Sequence, residues 1–257
     1  MTKIHSSAII HPEAIIGNDV IIGPFVTIGE HVRIGDNTEI MAHAIIEGRT
    51  TIGTNNKIFP SVLIGLPAQD LKYKGEPTKL FIGNNNVIRE FTTIHLSSTL
   101  DDDTIVGDNN LLMAYVHIAH NCQIGSNIVI ANAVQLAGHV VIEDNVIIGG
   151  LSAAHQFARV GTHAFVGGTS GIAKDIPPYT RGIGYDYKVS GLNSIGLSRR
   201  GFSDEQINAI KQIYKIFYHS GRNVSQAIEY AESLPDLTVE QKVFLDFCKS
   251  STRGIVK

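Results

Sequence analysis

Two histidines three residues apart, His117 and His120, stand in the stretch VHIAHNCQIG at 116 to 125, and a third, His139, follows Gly138. An imidazole with an ordinary pKa of about 6.5 is largely neutral near pH 7, so it can take a proton from a hydroxyl. A backbone N–H beside it can hold a developing oxyanion. Three imidazoles can instead hold zinc, and all three can equally be solvated surface residues. The chemistry open to them depends on where the chain puts them.

Their setting is a six-residue rhythm. Every sixth residue from Ile4 to Ile172 is Ile, Val or Leu, except Asp70, Glu76 and Ala154. The residue two places earlier is usually small, as at Val26, Ala44, Val116, Cys122 and Ser152, and Gly often follows the aliphatic one, as at Gly17, Gly53, Gly125 and Gly149. A helix needs apolar residues three or four apart, so a strict six predicts short strands joined by tight turns, closing one triangular coil every three hexads. Asn recurs three places after the aliphatic residue, at Asn37, Asn55, Asn85, Asn109, Asn121, Asn127 and Asn145, where a backbone bend with positive φ is tolerated. Coils stacked at the parallel-strand spacing place residue n beside n + 18.

Composition agrees with one repetitive body and one small appendage. The chain has 257 residues, 43% hydrophobic, with 25 Gly, no Trp and a formal net charge of -3. No apolar run is long enough to span a bilayer, and MTKIHSSAII lacks the apolar region of a signal peptide, which predicts a cytoplasmic protein. Cys122 falls on an inward position and Cys248 in a helical pattern, so both read as buried thiols.

The body is expected over residues 1–180. Polar excursions near 66–81 and 95–105 interrupt it, the first carrying Gly75 and Pro77, the second SSTLDDDT. Pro177 and Pro178 end the pattern, and a connecting stretch leads to a helical domain over 198–257. Ser203 with Gln206 and Thr238 with Gln241 predict capping boxes, and a helix between them is expected over about 225 to 234, stopped by Pro235. The charge balance of the tail is too weakly positive to argue nucleic acid.

With the coil rule in hand, Gly138 lies beside His120, and His139 next to it. That arrangement suits a general base with an oxyanion donor. A zinc site resembling that of γ-class carbonic anhydrases, drawn from His117, His120 and His139, is the competing reading, and a non-catalytic trimeric β-helix scaffold is the third.

Longer motifs narrow the choice. The runs QDLKYKGEPT (69–78), TIH (93–95), DNNLLM (108–113), HIAHNC (117–122), LAGHV (136–140), HQF (155–157), DIPPY (175–179), RRGF (199–202) and STRG (251–254) together resemble the UDP-N-acetylglucosamine O-acyltransferases, in order and along essentially the whole chain. The resemblance implies an all-β left-handed parallel β-helix followed by a small α-helical domain, and a cytoplasmic homotrimer with active sites between subunits. It implies transfer of a 3-hydroxyacyl group from acyl carrier protein to the 3-hydroxyl of UDP-N-acetylglucosamine, the first step of lipid A synthesis. No cofactor or metal is implied, the phosphopantetheine being carried by the donor protein.

Carried over motif by motif, the resemblance makes His120 the base and the Gly138 N–H the oxyanion donor. Asp70 and Lys72 would hold the sugar. His95, His117, His139, His155 and Gln156 would contact sugar, phosphate or acyl groups, and Asn193, Arg199 and Arg200 the UDP. Gly168, in FVGGTSG, would be the end stop of the acyl groove, open to chains of about 14 carbons or more. Two departures stand out: Asn121 occupies a place where the family often has Asp, and Ile195 a place where some members have Glu.

Overall fold

A computed structural model describes residues 1–257. The hexads form short strands, mostly of two residues, that assemble into three sheets of 11, 9 and 8 strands, the faces of a triangular prism, parallel throughout except for the last strand of the first sheet. The first sheet starts at Lys3–Ile4, the second at Ile9–Ile10 and the third at Ile15–Ile16. Each strand pairs with the one a coil later, as in Lys3↔Ile21 and His117↔Gln135. The aliphatic residue of each hexad points inward, so Ile28, Ile58, Ile94, Ile118 and Leu136 are fully buried in one continuous core. Removing such side chains from water is the main stabilising term.

Two excursions break the coil, and both leave the corner between the second and third sheets. Strands Leu63–Leu66 and Lys79–Ile82 bound the first, and Thr93–His95 and Thr104–Val106 the second. The excursions are therefore 67–78 and 96–103, shorter than the expected 66–81 and 95–105, because Lys79–Ile82 already pairs with Arg49–Ile52. The partner offset rises from 18 residues at Lys3↔Ile21 to 30 at Lys57↔Val87 and 24 at Val87↔Leu111, then returns to 18 at Leu111↔Val129. The extra lengths are multiples of six, which is why the sequence rhythm runs through them unbroken. Leu100, on the rhythm, is accordingly not a core residue but 65% exposed on the second excursion.

All seven Asn positions of the turn pattern have φ between 57° and 65°. Bulky residues share that left-handed conformation at other corners, with φ 57° at Phe25, 58° at Phe91, 64° at Tyr115 and 67° at Phe157. It costs such residues on the order of 1 kcal/mol each. Stacking across coils offsets part of the strain, as in Phe25 with His43 and Phe91 with Tyr115, ring centroids 5.0 Å apart in both pairs.

The prism is not wholly apolar inside. Asn56, Asn86 and Asn110 occupy inward positions one above the other and are buried. Asn86 Nδ2 donates to the Gly107 carbonyl at 2.9 Å, and its Oδ1 accepts from the Asn110 N–H at 2.9 Å. The Asn86 N–H in turn donates to Asn56 Oδ1 at 2.9 Å.

Beyond the prism, Thr180–Ile183 and Lys188–Leu192 form an antiparallel pair where a plain connection was expected. Four helices follow: α1 (Ser194–Arg199), α2 (Asp204–Tyr218), α3 (Val224–Glu232) and α4 (Val239–Lys249). Helical structure thus begins before residue 198, because Asn193 caps α1 through its side chain. The capping boxes at Ser203 and Thr238 are formed, and Asn223 with Gln226 makes a third. The tail returns to the prism: Asp175, fully buried, accepts from the Arg159 N–H at 2.9 Å and the Ser251 hydroxyl at 2.7 Å. Val256 joins the prism core.

Replacing Asn86 by Ala would leave the Gly107 carbonyl and the Asn110 N–H buried without partners. Urea unfolding of Asn86→Ala is expected to show a loss of about 2–3 kcal/mol, and an unchanged midpoint would mean the ladder adds nothing.

Candidate active site

The histidines gather at the corner from which both excursions leave. His117 lies within the second sheet, in strand His117–Ile118, and His120 and Asn121 form the turn that follows. Gly138 repeats the position of His120 one coil later and Gln156 two coils later, while the excursions stack on the opposite side of His120.

His120 is buried and its ring is held at one nitrogen. Nδ1 lies 2.9 Å from Asn121 Oδ1. The amide orientation follows from its neighbours, since Oδ1 receives the Ser98 N–H at 3.0 Å and Nδ2 faces the Asp102 carbonyl at 3.0 Å. The atom facing His120 is therefore an acceptor, so Nδ1 carries the proton and Nε2 the lone pair. Nε2 points towards Asp70 Oδ2, 4.0 Å away. The Lys72 N–H, 2.9 Å from Asp70 Oδ1, holds that carboxyl below the usual carboxylate range, helped by the Ser98 hydroxyl and His120.

Gly138 has no room for a side chain: a Cβ there would lie 2.6 Å from His120 Nε2. Gly138 is buried, and its N–H, on the lining of the groove, donates to no acceptor in the chain. That N–H is one coil on from the His120 ring. His139 N–H ties the two coils together by donating to the His120 carbonyl at 3.0 Å.

The other imidazoles surround this pair. His117 Nδ1 is 2.7 Å from the Thr93 hydroxyl, and burial, then His95 and His120, push its pKa down to about 4. His95 Nδ1 donates to the Pro67 carbonyl at 2.7 Å, and its ring meets His117 edge-on at 5.2 Å. His139 packs edge-on to His120 at 5.3 Å and stacks on Phe157 at 4.7 Å, its pKa lowered by burial and by His120. No three His, Cys, Asp or Glu side chains converge as a metal-ligand set, so His117, His120 and His139 do not form the zinc site drawn from spacing.

A groove of about 450 Å³ runs from this corner along the second sheet, lined by Gln69, His117, His120, Gln135, Gly138 and Gln156 among others. A larger hollow of about 530 Å³ lies on the third sheet, among Glu13, Glu30, Arg33, Arg49 and Lys79, away from the histidines. The groove floor narrows in side-chain size, since His117, Gln135, Ala153 and Gly171 follow one another in register on the outer face. Gly168 sits at the far corner of that sheet, stacked on Gly150, where a Cβ would be 3.1 Å from the Gly150 carbonyl oxygen.

Not every expected residue is at this corner. Lys72 is exposed on the first excursion, and His155 is exposed with Nδ1 3.1 Å from the Gln156 carbonyl. Asn193, Arg199 and Arg200 lie at the corner between the third and first sheets. Asn193 Nδ2 donates to the His163 carbonyl at 3.0 Å, Arg200 donates to Asn145 Oδ1, and Arg199 is exposed. One side of the prism, about six residues or roughly 20 Å of extended chain, separates them from His120. The residues that spacing alone does not reveal are Ser97, Ser98 and Thr104, which hold Asn121; their only sequence signal is the polar run that carries them.

A prism of parallel hexad coils with a cluster of histidines at one corner is the architecture of the hexapeptide-repeat acyltransferases of the left-handed β-helix class. The family model for the bacterial transferase hexapeptide repeat matches residues 1–30 and 103–138, and that for UDP N-acetylglucosamine O-acyltransferase, domain 2, matches residues 175–256. The acyl-(acyl-carrier-protein)–UDP-N-acetylglucosamine O-acyltransferase of Thermodesulfovibrio yellowstonii is 50% identical over 259 residues, covering 100% of both chains. The solved UDP-N-acetylglucosamine acyltransferase of Bacteroides fragilis is 45% identical with a TM-score of 0.95, covering 99% of this chain and 100% of that one. That of Francisella novicida is 41% identical, TM-score 0.95, covering 98% and 93%. The chain belongs to the UDP-N-acetylglucosamine O-acyltransferase family.

Burial also sets a pH dependence. His163, whose Nδ1 is buried without a partner, is pushed to about 4 by burial and by Arg200, as His117 is by its surroundings. A histidine depressed below its unfolded value of 6.5 binds protons more readily when unfolded. Its stabilising contribution is present above that value and is lost as pH falls from 6.5 towards 4. Urea unfolding across this window should show falling stability, with a shallower slope in His163→Gln; equal slopes would contradict the burial.

Proposed function

We propose that the chain transfers a 3-hydroxyacyl group from the thioester of acyl carrier protein to the 3-hydroxyl of UDP-N-acetylglucosamine, the entry reaction of lipid A synthesis, in the cytoplasm. The observation that carries this reading is the lone pair of His120 Nε2 standing against the unpaired Gly138 N–H, with Asp70 opposite. Nε2 would take the hydroxyl proton as the oxygen attacks the thioester carbonyl. The tetrahedral oxyanion would accept from the Gly138 N–H. Its collapse expels the thiolate, which regains the proton from His120, leaving an ester and a free carrier thiol. No acyl-enzyme is needed: Cys122 points inward, its Sγ 3.2 Å from the Ala137 carbonyl and its pKa pushed up to about 12 by burial.

Asp70 and Lys72 would hold the sugar, and His95, His117, His139, His155 and Gln156 the sugar, phosphate or acyl group. Asn193, Arg199 and Arg200 would hold the UDP, Arg suiting diphosphate because its planar fork donates two hydrogen bonds at once. Because those three lie a prism side away from His120, a single UDP-sugar reaching both groups is best served by two chains. The outer face of the first sheet suits such an assembly, since Val87, Leu111, Val129, Ile147 and Phe165 line up along it. A homotrimer with sites between subunits follows from this reading.

Purified protein given UDP-N-acetylglucosamine and a mixed pool of acylated carrier proteins should yield an O-acylated UDP-sugar by mass analysis. His120→Ala should lose about two to four orders of magnitude in turnover with its unfolding midpoint retained; near-normal turnover would remove His120 from the reaction.

The acyl chain would lie on the narrowing floor that leads to Gly168. Donors of about 14 carbons are expected to be preferred, and Gly168→Met to shift preference towards 10 carbons, by roughly fourfold for each methylene left unburied. An unchanged ratio of the two donors would place the end of the groove elsewhere.

A further inference from the structure

Asn121 is surrounded as only an amide can be. Its Oδ1 faces three donors: the Ser98 N–H and hydroxyl, both at 3.0 Å, and His120 Nδ1 at 2.9 Å. Its Nδ2 faces three acceptors: Ser97 Oγ at 2.7 Å, the Asp102 carbonyl at 3.0 Å and Thr99 Oγ1 at 3.2 Å. The Ser97 hydroxyl lies against the Asp102 and Thr99 carbonyls, to which it donates its proton, so it offers Nδ2 a lone pair. The Asn121 N–H is taken by Thr104 Oγ1 at 2.8 Å, and the residue holds φ 58°. Apart from His120, every one of these partners comes from the second excursion or its closing strand.

A carboxylate in the same place would meet this pocket wrongly on one side. One oxygen could accept from Ser98 and His120, but the other would face the Asp102 carbonyl and the Ser97 lone pair with no proton to give. Ser98 holds the acceptor side of this pocket by itself, since its N–H and its hydroxyl both donate to Asn121 Oδ1 at 3.0 Å.

We propose that Ser98 is a positioning residue for the acyl transfer, fixing the Asn121 amide that orients His120, and that the excursion 96–103 is built for an amide at position 121. The inference rests on the reaction proposed above, with His120 as base. Loss of the Ser98 hydroxyl then acts on turnover through the orientation of the His120 ring. An Asp at 121, though it is the residue often found there in the family, is a poor fit in this chain.

Steady-state kinetics with UDP-N-acetylglucosamine and a hydroxyacylated carrier protein, together with thermal unfolding, test this on Ser98→Ala, Ser98→Thr, Asn121→Ala, Asn121→Asp and the double variant S98A/N121A. Ser98→Ala should lower kcat about tenfold while leaving KM for both substrates unchanged, and Ser98→Thr should restore kcat. Asn121→Asp should fall below the unsubstituted protein in kcat and in unfolding midpoint. The double variant should be no slower than Asn121→Ala, because both changes break one unit. Independent, multiplying losses in the double variant, or an Asn121→Asp enzyme as fast as the parent, would overturn the inference while leaving the reaction intact. A parent protein that transfers no acyl group would instead remove the reaction itself.

Discussion

The structure depends on one repeated contact, the parallel ladder that sets each residue beside the one a coil later. A two-residue strand has almost no stability by itself, and it exists here only because strands above and below satisfy its N–H and C=O groups. The same contact makes columns of the corners. Two groups of one site need not be close in sequence or share a loop; they need only occupy the same corner on successive coils, as His120 and Gly138 do. Whatever lies on the outer face of one coil is likewise continued by the next, so a graded floor such as His117, Gln135, Ala153 and Gly171 requires only one choice per coil.

The ladder also explains how a rigid prism holds residues from distant parts of the chain around one ring. Both excursions leave the corner of His120, and they meet it from the same side. The first brings Asp70 to the open nitrogen, and the second brings the groups that orient Asn121 behind the other nitrogen. His120 is thus oriented at Nδ1 by an amide, with the Asp70 carboxylate 4.0 Å from Nε2, while burial keeps His117 neutral beside it.

Much of this is legible in the residues alone. The six-residue rhythm carries the prism, and stepping by 18 pairs His120 with Gly138 without any structure, because inward and outward positions alternate rigidly in so small a coil. The limits come from the same regularity. The excursions happen to add multiples of six, so the rhythm passes through them and presents Leu100 as a core residue when it is exposed on a loop. Left-handed backbone at Phe25, Phe91 and Tyr115 contradicts local preference, and it is tolerated because the ladder fixes the corner and a neighbouring ring stacks on it. The amide pocket around Asn121 has no sequence signature, since it depends on which way a polar run folds back. Helix α1 escapes for a similar reason: its start depends on an Asn193 side chain that also reaches the His163 carbonyl on the prism.

The buried carboxamides of Asn56, Asn86 and Asn110 bear on a problem that a stack of near-identical layers faces while it assembles. Aliphatic layers are interchangeable, so a strand could settle against the wrong neighbour with nearly the same burial. A displaced layer would set a carboxamide against Ile or Val and strand its polar atoms in hydrocarbon, an error that apolar contact cannot correct. The three amides therefore act as a key that admits one ordering of the layers. The key sits level with the two excursions, where mis-stacking would carry Asp70 and Ser98 away from the corner of His120.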